Sequence, residues 1–332
     1  MIRDGPSVAK EAYDFHKELE LHGPWAKSAP LDLKESFEYC SWFTRVHYEN
    51  FSVISWFLPK SLKPAFEAVY AFSRWSDDLG DEAGSPEKSL ELLRWWAGEL
   101  DESFANPSKA KHPILKALAT EAKKYLLNKE PFQRLILAFE MDQTKNRFAT
   151  RKEVLFYCHH SANPVGEIVL SLFKAHTKDN IALSDSICTG LQLANFWQDV
   201  SRDLDINRIY IPKEDMDQIG VTESDLWTRK TNSAIRELIR KEVDWAEECF
   251  LKGNSLPDKL GGPMGEQIRL FLMGGQAILR KIRQTNFNSL EQRPKLSKWD
   301  KLSLAVPGLA RMGAKLLLSR VPFVSQKGRL PK

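Results

Sequence analysis

The amino-acid sequence predicts a nearly all-α fold, on three observations. Most windows between loop signals place apolar residues at helical spacing. Seventeen glycines and seventeen prolines in 332 residues are too few for a turn-rich β fold. Ten tryptophans and eighteen phenylalanines supply bulky apolar volume suited to lining a large interior. The length allows two domains or one large one. No composition break, linker or repeat divides the chain, so residues 1–292 are expected to form one all-α domain, with 293–332 as a basic amphipathic tail continuing it.

The elements follow from local signals. Pro59 and Pro64 open a helix that runs to about Glu82, where Gly80 and then Gly84, Ser85 and Pro86 announce its end. Ser85-Pro86 starts the next, over roughly 86–104. Further helices are expected at roughly 112–128, 131–142 and 151–176, then from Asp179 to Asp203. Arg208-Ile209-Tyr210-Ile211-Pro212 reads as extended, and helices over roughly 222–252 and 263–286 complete the body.

Composition excludes several classes. Hydrophobic residues make up 42% and charged residues 28%, and no stretch approaches the roughly 18 uncharged apolar residues of a membrane span, so neither a disordered chain nor an integral membrane protein is expected. The net charge of +4 is unevenly spread: residues 293–332 hold ten Lys/Arg against the single acid Asp300, which leaves the remainder mildly acidic. That asymmetry argues against a nucleic-acid binder and for a tail that meets an anionic surface. Cys40, Cys158, Cys188 and Cys249 are far apart with no C-x-x-C spacing, so neither a disulfide framework nor a zinc site is expected. The N-terminus lacks the apolar core of a signal peptide. A cytoplasmic protein, peripheral on the inner face of the membrane through its tail, is the expected location.

Two helices carry the chemistry. At 100° per residue, Tyr70, Arg74, Asp77 and Asp81 fall within about 60° of one another and form a polar stripe. Gln192, Asn195, Asp199 and Asp203 occupy about 80° of arc beside Phe196 and Val200, a second stripe of oxygen donors. Mg²⁺ binds one or two carboxylates, keeps several waters and takes its remaining ligands from substrate phosphates, so two facing stripes can hold a diphosphate between them. Arg74 on the first stripe and Arg202 beside the second are placed to neutralise a leaving diphosphate. The implied chemistry is ionisation of a carbon–oxygen bond. An acidic i, i+4 pair is most often a solvated face. Asn195, Asp199 and Asp203, however, recur on a helix rich in Leu, Phe and Trp, where burial without a ligand is costly. His47, His159 and His160 read as surface or core residues, Cys158 and Cys188 as small core residues, and Trp95, Trp96 and Trp197 as packing.

Four segments, in order, then carry a resemblance: HYENFSVISWFLP at 47–59, YAFSRWSDDLGDE at 70–82, YCHHSANPVGE at 157–167 and QLANFWQDVSRDLDINRIYIP at 192–212. Over about 40–290 the chain resembles the squalene and phytoene synthases. Within that family it looks most like the hydroxysqualene synthases of the bacterial hopanoid pathway, through Asn50-Phe51, the run from Ser161 to Gly166, and Asn195-Phe196-Trp197-Gln198-Asp199. The resemblance implies an isoprenoid-synthase helical bundle around a central cavity. Asp77 and Asp81 would face Asn195, Asp199 and Asp203 across Mg²⁺, with Tyr157 among the catalytic residues. Asn50, Phe51, Tyr70, Arg74, Asn163, Gly166, Gln192, Gln198, Arg208 and Tyr210 would meet the substrate. The implied reaction takes presqualene diphosphate, supplied by a related synthase, to hydroxysqualene by diphosphate loss, cation rearrangement and water capture, without NADPH. The sequence departs at Gln198 from the relatives that make squalene, dehydrosqualene or phytoene, which usually have arginine there, and at Asn163-Pro164 from the many relatives with small apolar or glycine residues, a proline inside a helix being expected to kink it. Asn163 and Gln198 are the amides expected to hold the captured water. The alternatives are a squalene, dehydrosqualene or phytoene synthase condensing two prenyl diphosphates, a non-catalytic family member serving as a scaffold, and a membrane-interaction module.

Overall fold

The computed structural model describes residues 13–47 and 58–296, and among these there is no β-strand. Its helices are α1 (Phe15–His22), α2 (Leu33–His47), α3 (Lys63–Asp81), α4 (Pro86–Ala105), α5 (Pro113–Tyr125), α6 (Glu130–Asp142) and α7 (Arg151–Ser161). They continue as α8 (Asn163–Leu172), α9 (Lys178–Asp205), α10 (Lys213–Ile219), α11 (Glu223–Trp227), α12 (Ser233–Gly253), α13 (Leu256–Leu260) and α14 (Gly262–Gln284). The all-α expectation holds. Asn50, Phe51 and the tail beyond 296 lie outside the described residues.

The helix boundaries have local causes. Pro64 stands in the first turn of α3, where its missing N–H costs nothing, and Gly84 at φ +88 turns the chain after it. Ser85, Thr150 and Thr177 cap α4, α7 and α9 by accepting from the backbone N–H of Lys88, Glu153 and Asn180. Two expected long helices are broken. Residues 151–176 divide at Ala162, because Pro164 supplies no N–H to continue α7 and instead opens α8. The expected helix at 222–252 divides at Arg229, whose φ of +54 ends α11, after which Asn232 caps α12 by accepting from Ile235 N–H at 2.9 Å. Four helices carried no expectation: α1, α2, α10 and α13. The start of α2 had a readable signal, since Asp32 and Glu35 exchange side-chain-to-backbone hydrogen bonds, each at 2.8 Å.

The helices assemble around two apolar cores. One gathers α1–α6 around Phe43, Phe72, Trp75, Trp96 and Phe132, all fully buried. The other gathers α7, α9, α12 and α14 around Trp197, Leu193, Phe250 and Leu279. Each such side chain contributes roughly 1.5–3 kcal/mol by leaving water. Phe173 packs against both cores. The α9–α12 pair makes the most extensive helix contact, and it is close because Gly253 puts no side chain between the helices: a Cβ there would lie 2.5 Å from Ile187 Cγ1 and 2.7 Å from Leu183 O.

Beside the second core lies a buried charge cluster. Asp215 takes Arg151 Nε at 2.7 Å and Lys241 Nζ at 2.6 Å. Glu242, fully buried, has among the described residues an ion pair with Arg151 Nη2 at 3.9 Å, and neither of its oxygens makes a hydrogen bond within 3.5 Å. Burial, reinforced by the negative charge of Asp215, pushes the Glu242 carboxyl up to about 8.

Candidate active site

The first stripe lies on α3 and the second on α9, as the periodicity predicts. On α3, Arg74 reaches forward along its own helix. Its Nη1 donates to Asp77 Oδ2 at 2.6 Å and its Nη2 pairs with Asp78 Oδ1 at 2.6 Å. Asp77 remains about one-third exposed, whereas Asp78 is buried. Tyr70 stands next to Arg74 on the charged face. Asp81, at the exposed end of α3, lines a cavity of about 540 Å³ together with Asp142, Lys145 and Arg208.

Asp142, the last residue of α6, joins the two stripes. Its Oδ2 accepts from Tyr157 Oη at 3.0 Å, while its Oδ1 is buried with no partner. Arg208 lies beside it and donates to its backbone carbonyl at 3.3 Å. Burial pushes Asp142 up to about 6 against the pull of Arg208 and Tyr157, with Asp81 adding repulsion. Asp77 is likewise raised by burial to about 6, against the pull of Arg74 and with Asp81, Asp78 and Asp142 repelling it. Asp203 rises to about 7 by burial, then by the charges of Asp199 and Asp142. The carboxylates of both helices therefore share one electrostatic field, with Asp142 between them.

An aromatic wall adjoins these acids. Phe196 stacks on Tyr210 with ring centroids 3.7 Å apart, and Tyr157 and Phe148 stand 5.6 Å and 5.5 Å from the Tyr210 ring. Tyr210 and Arg208 reach this place because the extended segment bonds back to the α6–α7 connection, with Ile209 N–H donating to Asn146 O at 3.0 Å and Lys213 N–H to Phe148 O at 2.9 Å. Such a wall can stabilise positive charge through its π faces.

Several expected site residues are engaged elsewhere. Asn163 is buried and its Oδ1 accepts from Thr189 Oγ1 at 3.0 Å, tying α8 to α9. Gly166 is a packing position, since a Cβ there would lie 2.3 Å from Ser184 Oγ and 2.7 Å from Cys188 Sγ. Gln198 is buried, donates to Pro294 O at 2.5 Å and accepts from Arg293. The amide oxygen of Asn163 and both ends of the Gln198 amide are thus already in use, which weighs against their holding a water. Asn195 and Arg202 are exposed and Gln192 is half-buried. Arg293 also grips both oxygens of Asp199. Asp142, Asp78 and Arg293 escaped the sequence reading, and the last lies 94 residues from its partner.

Among the described residues no three His, Cys, Asp or Glu side chains converge closely enough to hold a metal ion by themselves. The donor set nonetheless fits Mg²⁺. Crowded, under-neutralised carboxylates and an unpartnered buried Asp142 oxygen call for positive charge, and Mg²⁺ characteristically completes its shell with water and phosphate oxygens instead of an all-protein cage.

The squalene/phytoene synthase family model matches residues 44–300. A phytoene synthase of Arthrospira platensis is 26% identical over 90% of this chain and 100% of that one. Hydroxysqualene synthases of Sinorhizobium fredii and Rhodopseudomonas palustris are 31% and 33% identical over 63% and 58% of this chain, and 70% and 64% of theirs. Among solved structures, squalene synthase HpnC from Alicyclobacillus acidocaldarius has a TM-score of 0.74 at 41% identity, covering 78% of this chain and 97% of that one. Since the family match spans both carboxylate helices and the Asp142 junction between them, the chain belongs to the squalene/phytoene synthase family.

Proposed function

We propose that this protein converts presqualene diphosphate and water to hydroxysqualene and diphosphate, with Mg²⁺ as cofactor and no NADPH. The observation that carries the reading is that acids of both stripes, Asp77, Asp81 and Asp203, are electrostatically coupled to the one carboxylate Asp142, with Arg208 and an aromatic wall beside it. Members of the family process prenyl diphosphates. The choice among their reactions is supported by the hydroxysqualene synthases among the relatives, at 31% and 33% identity, while the 41% identity to a squalene synthase supports a C30 product.

In this reading Asp77, Asp81 and Asp203, with Asn195 and with Asp199 once Arg293 releases it, would hold Mg²⁺, which would supply charge neutralisation to the departing diphosphate. Arg74 and Arg208 orient the diphosphate by charge-assisted hydrogen bonds. The carbon–oxygen bond breaks with its electron pair going to diphosphate. Phe196, Tyr210 and Tyr157 face the resulting cation and exclude bulk water during rearrangement. Water then forms the new carbon–oxygen bond, and its proton ends on solvent.

Incubation with presqualene diphosphate in ¹⁸O water tests the reading. A C30 alcohol carrying heavy oxygen, unchanged by NADPH and absent without Mg²⁺, is expected. An unlabelled product, or squalene formed only with NADPH, overturns it. A second reading is condensation of two prenyl diphosphates, favoured by the phytoene synthase that matches 90% of the chain. Product formed from farnesyl or geranylgeranyl diphosphate alone decides for it.

The basic tail is proposed to rest on anionic lipid and help the C30 product leave, since Leu316, Leu317 and Leu318 alternate with Arg311, Lys315 and Arg320 in blocks. No described helix is long and apolar enough to cross a membrane.

A further inference from the structure

Arg74 is held in an unusual way. Its guanidinium does not meet one carboxylate with two parallel hydrogen bonds, the arrangement that such pairs favour. It is splayed, with Nη1 on Asp77 Oδ2 and Nη2 on Asp78 Oδ1, each at 2.6 Å, while its Nε is buried without a partner. The unspent Nε shows that a tighter grip on one carboxylate is forgone. What holds the guanidinium open is Asp78, and Asp78 is itself anchored. Its side chain is 1% exposed and its Oδ2 accepts from Tyr13 Oη at 2.5 Å, across 65 residues of sequence. His47 stands behind it with Nδ1 at 2.9 Å from Phe43 O and Nε2 at 3.8 Å from Asp78 Oδ2, too far for a hydrogen bond. Tyr13 is thus the hydroxyl donor that fixes Asp78. Its ring also packs edge-on against His47 and Phe43, at centroid distances of 4.0 Å and 5.3 Å, so the phenol has little freedom to turn away.

We propose that Asp78 and Tyr13 are positioning residues that hold Arg74 splayed across two carboxylates and so keep one oxygen of Asp77 open to a divalent cation. Without the anchor, Arg74 turns its Nε and one Nη onto Asp77 as a bidentate pair, and the carboxylate is closed to metal. The two residues touch neither metal nor substrate. They act through Arg74, and the inference rests on the reading of Asp77 as a metal ligand.

The test is a titration of the full chain with Mn²⁺ and inorganic diphosphate, following free Mn²⁺ by its paramagnetic resonance signal. Tyr13→Phe and Asp78→Asn are each expected to weaken Mn²⁺ binding roughly tenfold, with helical content unchanged. In an Arg74→Lys background, where a single ammonium cannot make the bidentate grip, neither substitution should weaken binding further. Unchanged affinity in Tyr13→Phe, or an equal loss with and without Arg74, overturns the proposal and leaves these residues structural. Asp77→Asn separates the two claims. If it binds Mn²⁺ as well as the natural protein does, the metal reading itself falls. If it binds weakly while Tyr13→Phe binds normally, the positioning role alone falls.

Discussion

Replacing Glu242 by Gln should stabilise the protein, and more so as pH rises. The carboxyl is fully buried, neither oxygen makes a hydrogen bond within 3.5 Å, and Asp215 has taken both nearby cations at 2.7 Å and 2.6 Å. Burial and the Asp215 charge raise Glu242 from 4.5 to about 8 on folding. A group raised in the folded state contributes fully below its unfolded value and loses that contribution as pH climbs through the folded one. At 1.36 kcal/mol per pH unit, ionisation of the unfolded carboxyl favours unfolding by about 3 kcal/mol at pH 7 and about 5 kcal/mol at pH 9, but only about 1 kcal/mol at pH 5. Glutamine removes this linkage. At about 2 °C per kcal/mol for a chain of this size, the gain in melting temperature should grow from about 2 °C at pH 5 to about 9 °C at pH 9. Thermal unfolding of both proteins by circular dichroism across this range measures it. A melting difference that stays flat with pH, or that shrinks as pH rises, refutes the reasoning.

Other predictions follow from the same geometry. Asp142→Asn removes the charge that holds Arg208 between the stripes and should lower the rate of diphosphate release roughly one hundredfold with the helical spectrum unchanged; a rate within threefold of the natural protein would show that Asp142 is only structural. Asp199→Asn should abolish turnover, and by weakening the grip of Arg293 it should also speed protease cleavage near residue 293, read by mass spectrometry. Gly253→Ala forces a methyl to within 2.7 Å of the Leu183 carbonyl oxygen and should cost about 1–3 kcal/mol in denaturant unfolding. Replacing Arg311, Lys315 and Arg320 by Glu in the full chain should reduce sedimentation with anionic liposomes and leave binding to neutral ones unchanged.

Much of the fold was legible because its signals are local. The polar stripe from Tyr70 to Asp81 follows from 3.6 residues per turn, and the boundaries at Ser85, Thr177 and Gly84 follow from capping and backbone freedom within a few residues. The Asn163-Pro164 pair correctly warned of disruption, although the outcome is two helices and not a kink. The break at Arg229 was not legible. Arginine has no preference for positive φ, and its conformation is held by contacts to Ser201 and Asp205, far along the chain.

The sequence by itself determined an all-α body, two carboxylate stripes at helical spacing and a match to a prenyl-diphosphate-processing family. Each depends on residues within a turn or two of one another, or on an ordered set of short motifs. Only the tertiary structure decided that Asp142 joins the two stripes, that Asp78 faces Tyr13 while its neighbour Asp77 stays open, and that Gln198 and Asn163 are engaged elsewhere. The physical reason is that a carboxylate's charge state and partners depend on how deeply it is buried and on what other elements bring beside it. Tyr13 and Asp78 are 65 residues apart, and Arg293 and Asp199 are 94 apart. Helical periodicity cannot relate positions so distant; the packing of the two cores does.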